Sequence, residues 1–521
     1  MLCRARSGGP GYVNSWYIWK LSNEKALPNR VCRRDSLMMN PPLGLFPGGE
    51  SDITHQRLRQ VPKPLSIGDK TMNTPQITKP DKEIATLYRK INWRILLFLL
   101  VSYGFAGLDR INIGFAKLQM QKDLGISEAV YGMAAGIFFL GYVLFEVPSN
   151  LLLVKIGTRK TISRILILWG LTSASMLFVT NAQSMYILRF LLGVFEAGFA
   201  PGMIFYLTYW YSSSRFATAL GTISLVVPIV GMVGSPLSTW IMTAFAGSHG
   251  IAGWRFMFLV EGLPSVVLGV ISYFFITDTP AQAKWLSPRE KALLAAEISG
   301  PAPKHSSFRQ VLTDGRVYLL AFVWFTVACG LYLISFWLPT MISRAGIKGV
   351  MHIGLYSAIP WVAAAIGMIV FGRSSDRHRE RRWHFSLLAF SGALTLGIAT
   401  IATTHFVLFF VCIILATGFL FSAFTVYWAM PPEYIKGDAA AGAIALINSI
   451  GLVGGFISPS IIGWSKTVFG SLNPGLFVIV GLLFLGSMLI AFKPPIQLPR
   501  VTGPGLPAEA FPGHDPIEET V

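Results

Sequence analysis

Twelve long apolar runs, separated by short polar segments, constrain this chain more than any other feature. They fall at about 93–115, 129–153, 161–180, 183–210, 217–245, 255–277, 317–339, 353–372, 384–403, 405–430, 438–464 and 473–493. A helix that crosses a bilayer needs about 20 mostly apolar residues. Because hydrocarbon cannot satisfy open backbone groups, such runs must be helices rather than isolated strands. The expected fold class is therefore an all-α membrane protein with twelve transmembrane helices.

Composition supports this, with 53% of residues hydrophobic and only 13% charged, against about a quarter charged in soluble domains. The net charge of +18 would suggest a nucleic-acid partner in a soluble protein. Here the charges follow the loops, so no nucleic acid is expected and the lipid bilayer is the large partner. No phosphate-binding loop, dinucleotide fingerprint, metal-ligand spacing or nucleophile motif occurs, so neither an enzyme nor a cofactor nor a metal is expected. Cys3, Cys32, Cys329 and Cys412 are scattered without a CxxC pair, consistent with buried inert thiols.

Loop charge orients the chain. Lys155, Arg159, Lys160 and Arg164 follow the second run, Lys284 to Arg316 holds six basic residues after the sixth, and Arg373 to Arg382 holds five after the eighth. The loops after the third, fifth and ninth runs are nearly free of Lys and Arg. By the positive-inside rule the even-numbered loops and both termini are cytoplasmic.

The polar segment 278–316 divides the apolar runs six and six, giving an N-terminal half at 85–277, a cytoplasmic linker with one short amphipathic helix (KWLSPREKALLAAE), and a C-terminal half at 317–495. A cytoplasmic tail at 496–521 follows. Residues 1–80 are expected to be a poorly structured extension; the first 75 are Pro/Gly-rich with a net charge of +6. MNTPQITKPDKEIATLYRKINWR, from Met72, is similar to an ordinary transporter N-terminus, which makes Met72 a candidate start.

The loops FGRSSDRHRERRWH and NLLLVKIGTRKTISR occupy equivalent positions in the two halves. Both resemble the Gly-x-x-x-Asp-Arg-x-Gly-Arg-Arg signature of the major facilitator superfamily: Gly372, Asp376 and Arg377 match in the second copy, and Gly157, Arg159 and Lys160 in the first. Asn150 and Val154 stand where Gly and Asp are usual, so the N-terminal loop lacks its customary acid. LDRINIGFA, FEVPSN, RFLLGVFEAGFAPG, VPIVGMVGSPLSTW and GWRFMFLVEGLP extend the likeness to the anion:cation symporter family, in particular its tartrate, phthalate and 4-hydroxyphenylacetate permease branch. The resemblance spans about 85–495. It implies two six-helix halves around a midplane site, and proton-driven uptake of a small organic carboxylate by alternating access across a bacterial-type inner membrane. A monomer is expected. An exporter or exchanger on the same fold and a non-transporting membrane sensor are the alternative readings.

Ionisable residues inside spanning helices cost about 2.5–3.5 kcal/mol each on insertion scales and mark functional positions. Asp109, Arg110, Arg189 and Glu196 are such residues. With helix one taken as 93–115, Asp109 and Arg110 lie about 24 Å from its cytoplasmic edge at 1.5 Å per residue, level with Arg189 and about 10 Å above Glu196. Arg189 is thus expected to meet the Asp109/Arg110 pair. Asp109 and Glu196 are the candidate proton carriers, and Arg110 and Arg189 the candidate anion ligands, since the planar guanidinium fork matches a carboxylate. The rival reading is mutual neutralisation that only locks the bundle. Asn448, Ser422 and Trp428 are candidate substrate contacts from the C-terminal half, with interhelical packing as the alternative; Tyr103 and Tyr142 are further candidates. Glu146, Arg255, Glu261 and Glu433, nearer the expected helix ends, are read as structural pairing residues.

Overall fold

A computed structural model describes residues 79–247, 250–298, 312–435 and 440–492. The candidate start at Met72, nearly all of the extension at 1–80, the middle of the linker and the tail at 496–521 lie outside them.

Among the described residues, twelve helices are long and apolar enough to cross a membrane: helix one Lys82–Leu124, two Glu128–Ile156, three Thr158–Phe178, four Ala182–Thr208, five Ser214–Ala244, six Gly253–Phe275, seven Gly315–Arg344, eight Val350–His378, nine Arg382–Ile401, ten Phe406–Tyr434, eleven Gly442–Phe469 and twelve Asn473–Phe492. No strand occurs among the described residues. The expected runs and observed helices agree within six residues at each end, except for helix one.

Hydropathy placed the end of helix one near 115, before Lys117, Lys122 and Asp123. The helix continues to Leu124 because Lys117 is absorbed into the bundle. It is 3% exposed, with Nζ 2.5 Å from Glu128 Oε2, 3.0 Å from Thr340 Oγ1 and 4.0 Å from the Trp337 ring centroid. A buried cation so paired avoids much of the desolvation cost that makes charges look like helix ends. Gly125 then stops the helix at φ +63°, a conformation that glycine adopts freely, and the Ser127 hydroxyl accepts from Val130 N–H to start helix two. Asp109 and Arg110 consequently lie well inside helix one, about 22 Å from its Leu124 end.

Helix four is broken. Its segments Ala182–Glu196 and Phe199–Thr208 meet at Ala197 and Gly198. Gly198 has φ +87°, and a Cβ there would come within 2.5 Å of Ser149 Oγ on helix two. Glycine is therefore required both for the bend and for the close approach.

The two six-helix halves meet where helix two lies along helix eleven, five along eight, and one against seven. The direct contacts concentrate at the end away from the linker, called the far end below. There Tyr131 OH donates to Phe336 O at 2.8 Å, and the Pro459 carbonyl of helix eleven sits where a Cβ on Gly132 would go. Gly132→Leu should hold this end open, raising the labelling of a Ser460→Cys reporter by a maleimide several-fold in the purified protein. Labelling equal to that of the reporter alone would mean that the contact is not needed for closure.

At the linker end, a short helix Pro288–Ile298 is capped reciprocally by Ser287 and Glu290. The Ser287 N–H, followed by the Lys90 ammonium, holds the half-buried Glu290 carboxyl below the usual carboxylate range. Lys90 Nζ lies 3.0 Å from Glu290 Oε1, and Arg289 Nη2 lies 2.9 Å from Glu83 Oε2, tying the linker helix to the start of helix one.

Candidate functional site

Arg110 pairs with Glu196. Its Nη2 and Nε lie 2.5 and 2.7 Å from Glu196 Oε1. Glu196 is fully buried, whereas the Arg110 side chain is 20% exposed, so access to the pair is from the arginine side. Glu196 Oε2 has no hydrogen-bond partner among the described residues. Glu196 is the last residue before the break in helix four, where the unsatisfied carbonyls of a helix C-terminus carry partial negative charge. Carboxylate and helix end thus both favour a cation at Arg110.

Arg189, expected to meet Asp109 and Arg110, makes no hydrogen bond or ion pair with either among the described residues, though it lies within electrostatic reach of Asp109 and Glu196. Arg189 is completely buried, and its Nε donates to Ala134 O at 3.3 Å, while Nη1 and Nη2 have no hydrogen-bond partner among the described residues. The Phe138 ring centroid lies 5.3 Å from Arg189 Cζ and 5.8 Å from Arg110 Cζ, within cation–π range of both. The longer helix one is the reason: it brings Arg110 level with Glu196, and no longer with Arg189.

Asp109, though next to Arg110 in sequence, points elsewhere, since successive residues on a helix are about 100° apart. Its Oδ2 accepts from Trp169 Nε1 at 2.7 Å, and its Oδ1 from Ser173 Oγ at 2.6 Å and Asn112 Nδ2 at 3.2 Å. Asn112 Nδ2 also donates to Glu261 Oε2 at 3.0 Å, and Ser238 Oγ to Glu261 Oε1 at 2.6 Å. Helices one, three, five and six are thus joined by a buried network of two carboxyl groups whose direct donors are all neutral. Asn112, at i+3 from Asp109 and so on the same face, and Glu261 were missed as members.

Around Arg110, Tyr103 and Tyr142 from the N-terminal half and Tyr332 from helix seven lie within electrostatic reach of the guanidinium, and the Tyr142 ring centroid is 5.4 Å from Arg110 Cζ. Tyr332 was not among the tyrosines singled out in the sequence, because nothing in its apolar run places it opposite Arg110. Asn448 reaches the same region: its Nδ2 donates to Glu146 Oε1 at 3.3 Å, bridging helices eleven and two. Glu146 had been read as an end-of-helix pairing residue. Helix two reaches Ile156, so Glu146 is well inside it, 8% exposed and with Oε2 unpartnered among the described residues.

Trp428 packs on Trp324, ring centroids 5.1 Å apart. Ser422 is not brought to this region: its Oγ donates to Gly418 O at 2.6 Å and faces Gly367 on helix eight, the interhelical-packing alternative. Glu433 does serve structural pairing, 3.1 Å from Arg381 Nε, and Arg255 Nη1 donates to Leu177 O at 2.6 Å. Among the described residues, no group of three or more His, Cys, Asp and Glu side chains could hold a metal ion.

In the loop after helix eight, Arg381 joins Asp376, 2.6 Å from Nη2, to Glu433 on helix ten; Arg377 is exposed and Gly372 lies against Thr425. In the loop after helix two, the acid missing at Val154 is supplied from beyond helix six. Asp278 Oδ1 accepts from Arg159 N–H at 2.8 Å and lies against Gly157, whose φ is +87°. The Arg159 guanidinium covers Tyr273 at 5.1 Å, and Lys160 is exposed.

Comparison with known proteins agrees with this architecture. The model of the Major Facilitator Superfamily matches residues 99–459. An Agrobacterium vitis protein named as a candidate tartrate transporter is 43% identical over 409 residues, 78% of this chain and 90% of that protein. The candidate metabolite transport protein NicT of Pseudomonas putida is 42% identical over 419 residues, 80% of this chain and 96% of that protein. The crystal structure of a D-xylose-proton symporter shares the fold at a TM-score of 0.64 with 12% identity, covering 77% of this chain and 98% of that one. Twelve spanning helices in two halves, a broken helix four that presents a buried carboxylate to an arginine, and the extent of these matches lead to one assignment: the chain belongs to the major facilitator superfamily, as a multi-pass membrane transporter.

Proposed function

We propose that this transporter couples protons to the uptake of a small hydroxylated organic carboxylate, tartrate-like in size and charge, across an inner membrane. The observation that carries the reading is the Arg110–Glu196 pair, whose cation is accessible while its carboxylate is buried. When Glu196 takes a proton, Arg110 loses its counter-charge and its guanidinium fork is free for a substrate carboxylate. Substrate and proton then enter the same state, and each raises the other's affinity by linkage. Tyr103, Tyr142, Tyr332 and Asn448 supply hydroxyl and amide groups suited to substrate hydroxyls. The tartrate named for the Agrobacterium vitis relative is of this chemical class.

The charge of the loops supports a cytoplasmic linker end and cytoplasmic termini. The contacts at the far end, Tyr131 to Phe336 and Lys117 to Thr340, then belong to a state closed outward. Alternating access would exchange these contacts for others at the linker end. In proteoliposomes, an imposed inward proton gradient should drive accumulation of tartrate or a related hydroxy acid, and a protonophore should abolish it. Preference for phthalate or hydroxyphenylacetate would move the substrate class to aromatic acids, and proton-driven efflux would reverse the direction. Asn448→Ala should raise KM for a hydroxy acid about tenfold, as expected for one lost polar contact of about 1.4 kcal/mol; an unchanged KM would remove Asn448 from the site.

A further inference from the structure

We infer that the linker end carries a headgroup site for an anionic phospholipid, between the start of helix one, the end of helix six and the linker. A groove of about 580 Å³ lies there, lined by Arg89, Lys90, Trp93, Arg94, Phe275 and Trp285 among others. Arg94 Cζ is 4.4 Å from the Phe275 ring centroid and 5.3 Å from that of Trp285, and Trp285 itself stacks on Trp210 at 5.5 Å. The guanidinium is thus held by aromatic rings with no ion-pair partner among the described residues, and its buried Nε has no acceptor. An arginine fixed in this way is arranged to receive a planar pair of acceptor oxygens, as a phosphate offers.

The backbone at this point is unusual. Asn92–Leu96 forms one turn of π-helix, a rare widening that recurs at functional positions. It carries both Arg94 and Trp93, whose side chain is 68% exposed. Arg89, on the preceding turn, is exposed and adds a second cation. Glu290 is, among the described residues, the one acid in the groove's lining, and its charge is engaged by Lys90 and by the Ser287 N–H.

Below the cations the surface becomes apolar. Leu97 and Val101 of helix one and Val267, Ile271 and Phe274 of helix six are all exposed, Phe274 at 80%. A tryptophan at the edge of an apolar span is the pattern of the membrane interface, and a basic pocket between helices at that level suits a lipid phosphate. The phosphate chemistry alone would also admit a free phosphate; the apolar track leading away from the cations favours the lipid.

The test uses the full-length protein, delipidated in detergent and titrated by native mass spectrometry. The probes are phosphatidylglycerol, phosphatidylcholine with the same acyl chains, and inorganic phosphate as competitor. The expected result is one phosphatidylglycerol bound several-fold better than phosphatidylcholine and not displaced by excess phosphate. Arg94→Gln should lower that occupancy about tenfold, the loss of one bidentate guanidinium–phosphate contact, and Arg94→Lys should restore only part of it. Arg89→Gln, on an exposed turn, provides a second variant and should weaken binding by a smaller factor. Equal binding of the two lipids, displacement by inorganic phosphate, or full occupancy in Arg94→Gln would each overturn the assignment. None of these outcomes bears on the transport reading, because the groove shares no residue with the Arg110 region.

Discussion

Glu196→Gln should abolish proton-driven accumulation of substrate while sparing exchange of substrate across the membrane. Glutamine preserves the shape of the side chain and can still accept from Arg110, but it cannot ionise. Arg110 would then lack its counter-charge in every conformation, as it does in the proposed protonated state of the native protein. Substrate binding survives in that state, and so does the movement of loaded carrier that exchange requires. Coupling does not, since no proton is taken up or released at this position as the transporter turns over. The carboxylate is completely buried beside a helix break, and its second oxygen has no partner among the described residues. Folding should tolerate the change, because the Arg110 side chain is 20% exposed and water can replace part of what is lost. The measurement is the accumulation ratio in proteoliposomes under an inward proton gradient, compared with counterflow in the same vesicles. Undiminished accumulation would remove Glu196 from the coupling mechanism, and loss of counterflow along with accumulation would assign it to binding.

The number and order of the spanning helices were legible because hydropathy needs no partners: an apolar run is apolar whatever it packs against. The end of helix one was not legible, because Lys117, Lys122 and Asp123 look like a loop until Glu128, Thr340 and Trp337 are known to surround Lys117. That single boundary, nine residues short, is worth about 14 Å along the helix at 1.5 Å per residue. It set Arg189, rather than Glu196, level with Arg110. The broken helix four was equally hidden, since Glu-Ala-Gly within an apolar run reads as an uninterrupted span; only the position of Ser149 shows why Gly198 must bend there.

Two tiers of buried acid emerge in the N-terminal half. Glu196 faces an accessible cation, and a change in its charge is felt at once by Arg110. Asp109 and Glu261 face neutral donors from helices one, three and five and share Asn112 between them. Two carboxylates in one buried network whose hydrogen-bond donors are all neutral are costly to ionise together, so this second tier is better suited to holding a proton within the half than to meeting a substrate. Sequence adjacency had joined Asp109 to Arg110; the helical rotation separates them into these two tiers.

Arg110→Lys should raise KM for the carboxylate by about tenfold to a hundredfold with a much smaller effect on the maximal rate. Lysine keeps the positive charge, and so keeps the pairing with Glu196 that stabilises the empty carrier. It loses the planar fork that can hold both oxygens of a carboxylate at once. A charge-assisted hydrogen bond contributes about 1.5–3 kcal/mol, and each 1.4 kcal/mol is a factor of ten in affinity, which sets the expected range. Arg189→Lys is the internal comparison. Arg189 is completely buried, with the Phe138 ring within cation–π range of both arginines. If Arg110 is the first contact of the substrate, the change at Arg189 should affect expression and thermal stability more than KM. Equal increases in KM for the two variants would make both arginines ligands of one carboxylate, as their positions in the sequence first suggested, and would require Phe138 to move aside on binding. An unaltered KM in Arg110→Lys would exclude the guanidinium fork as the anion ligand.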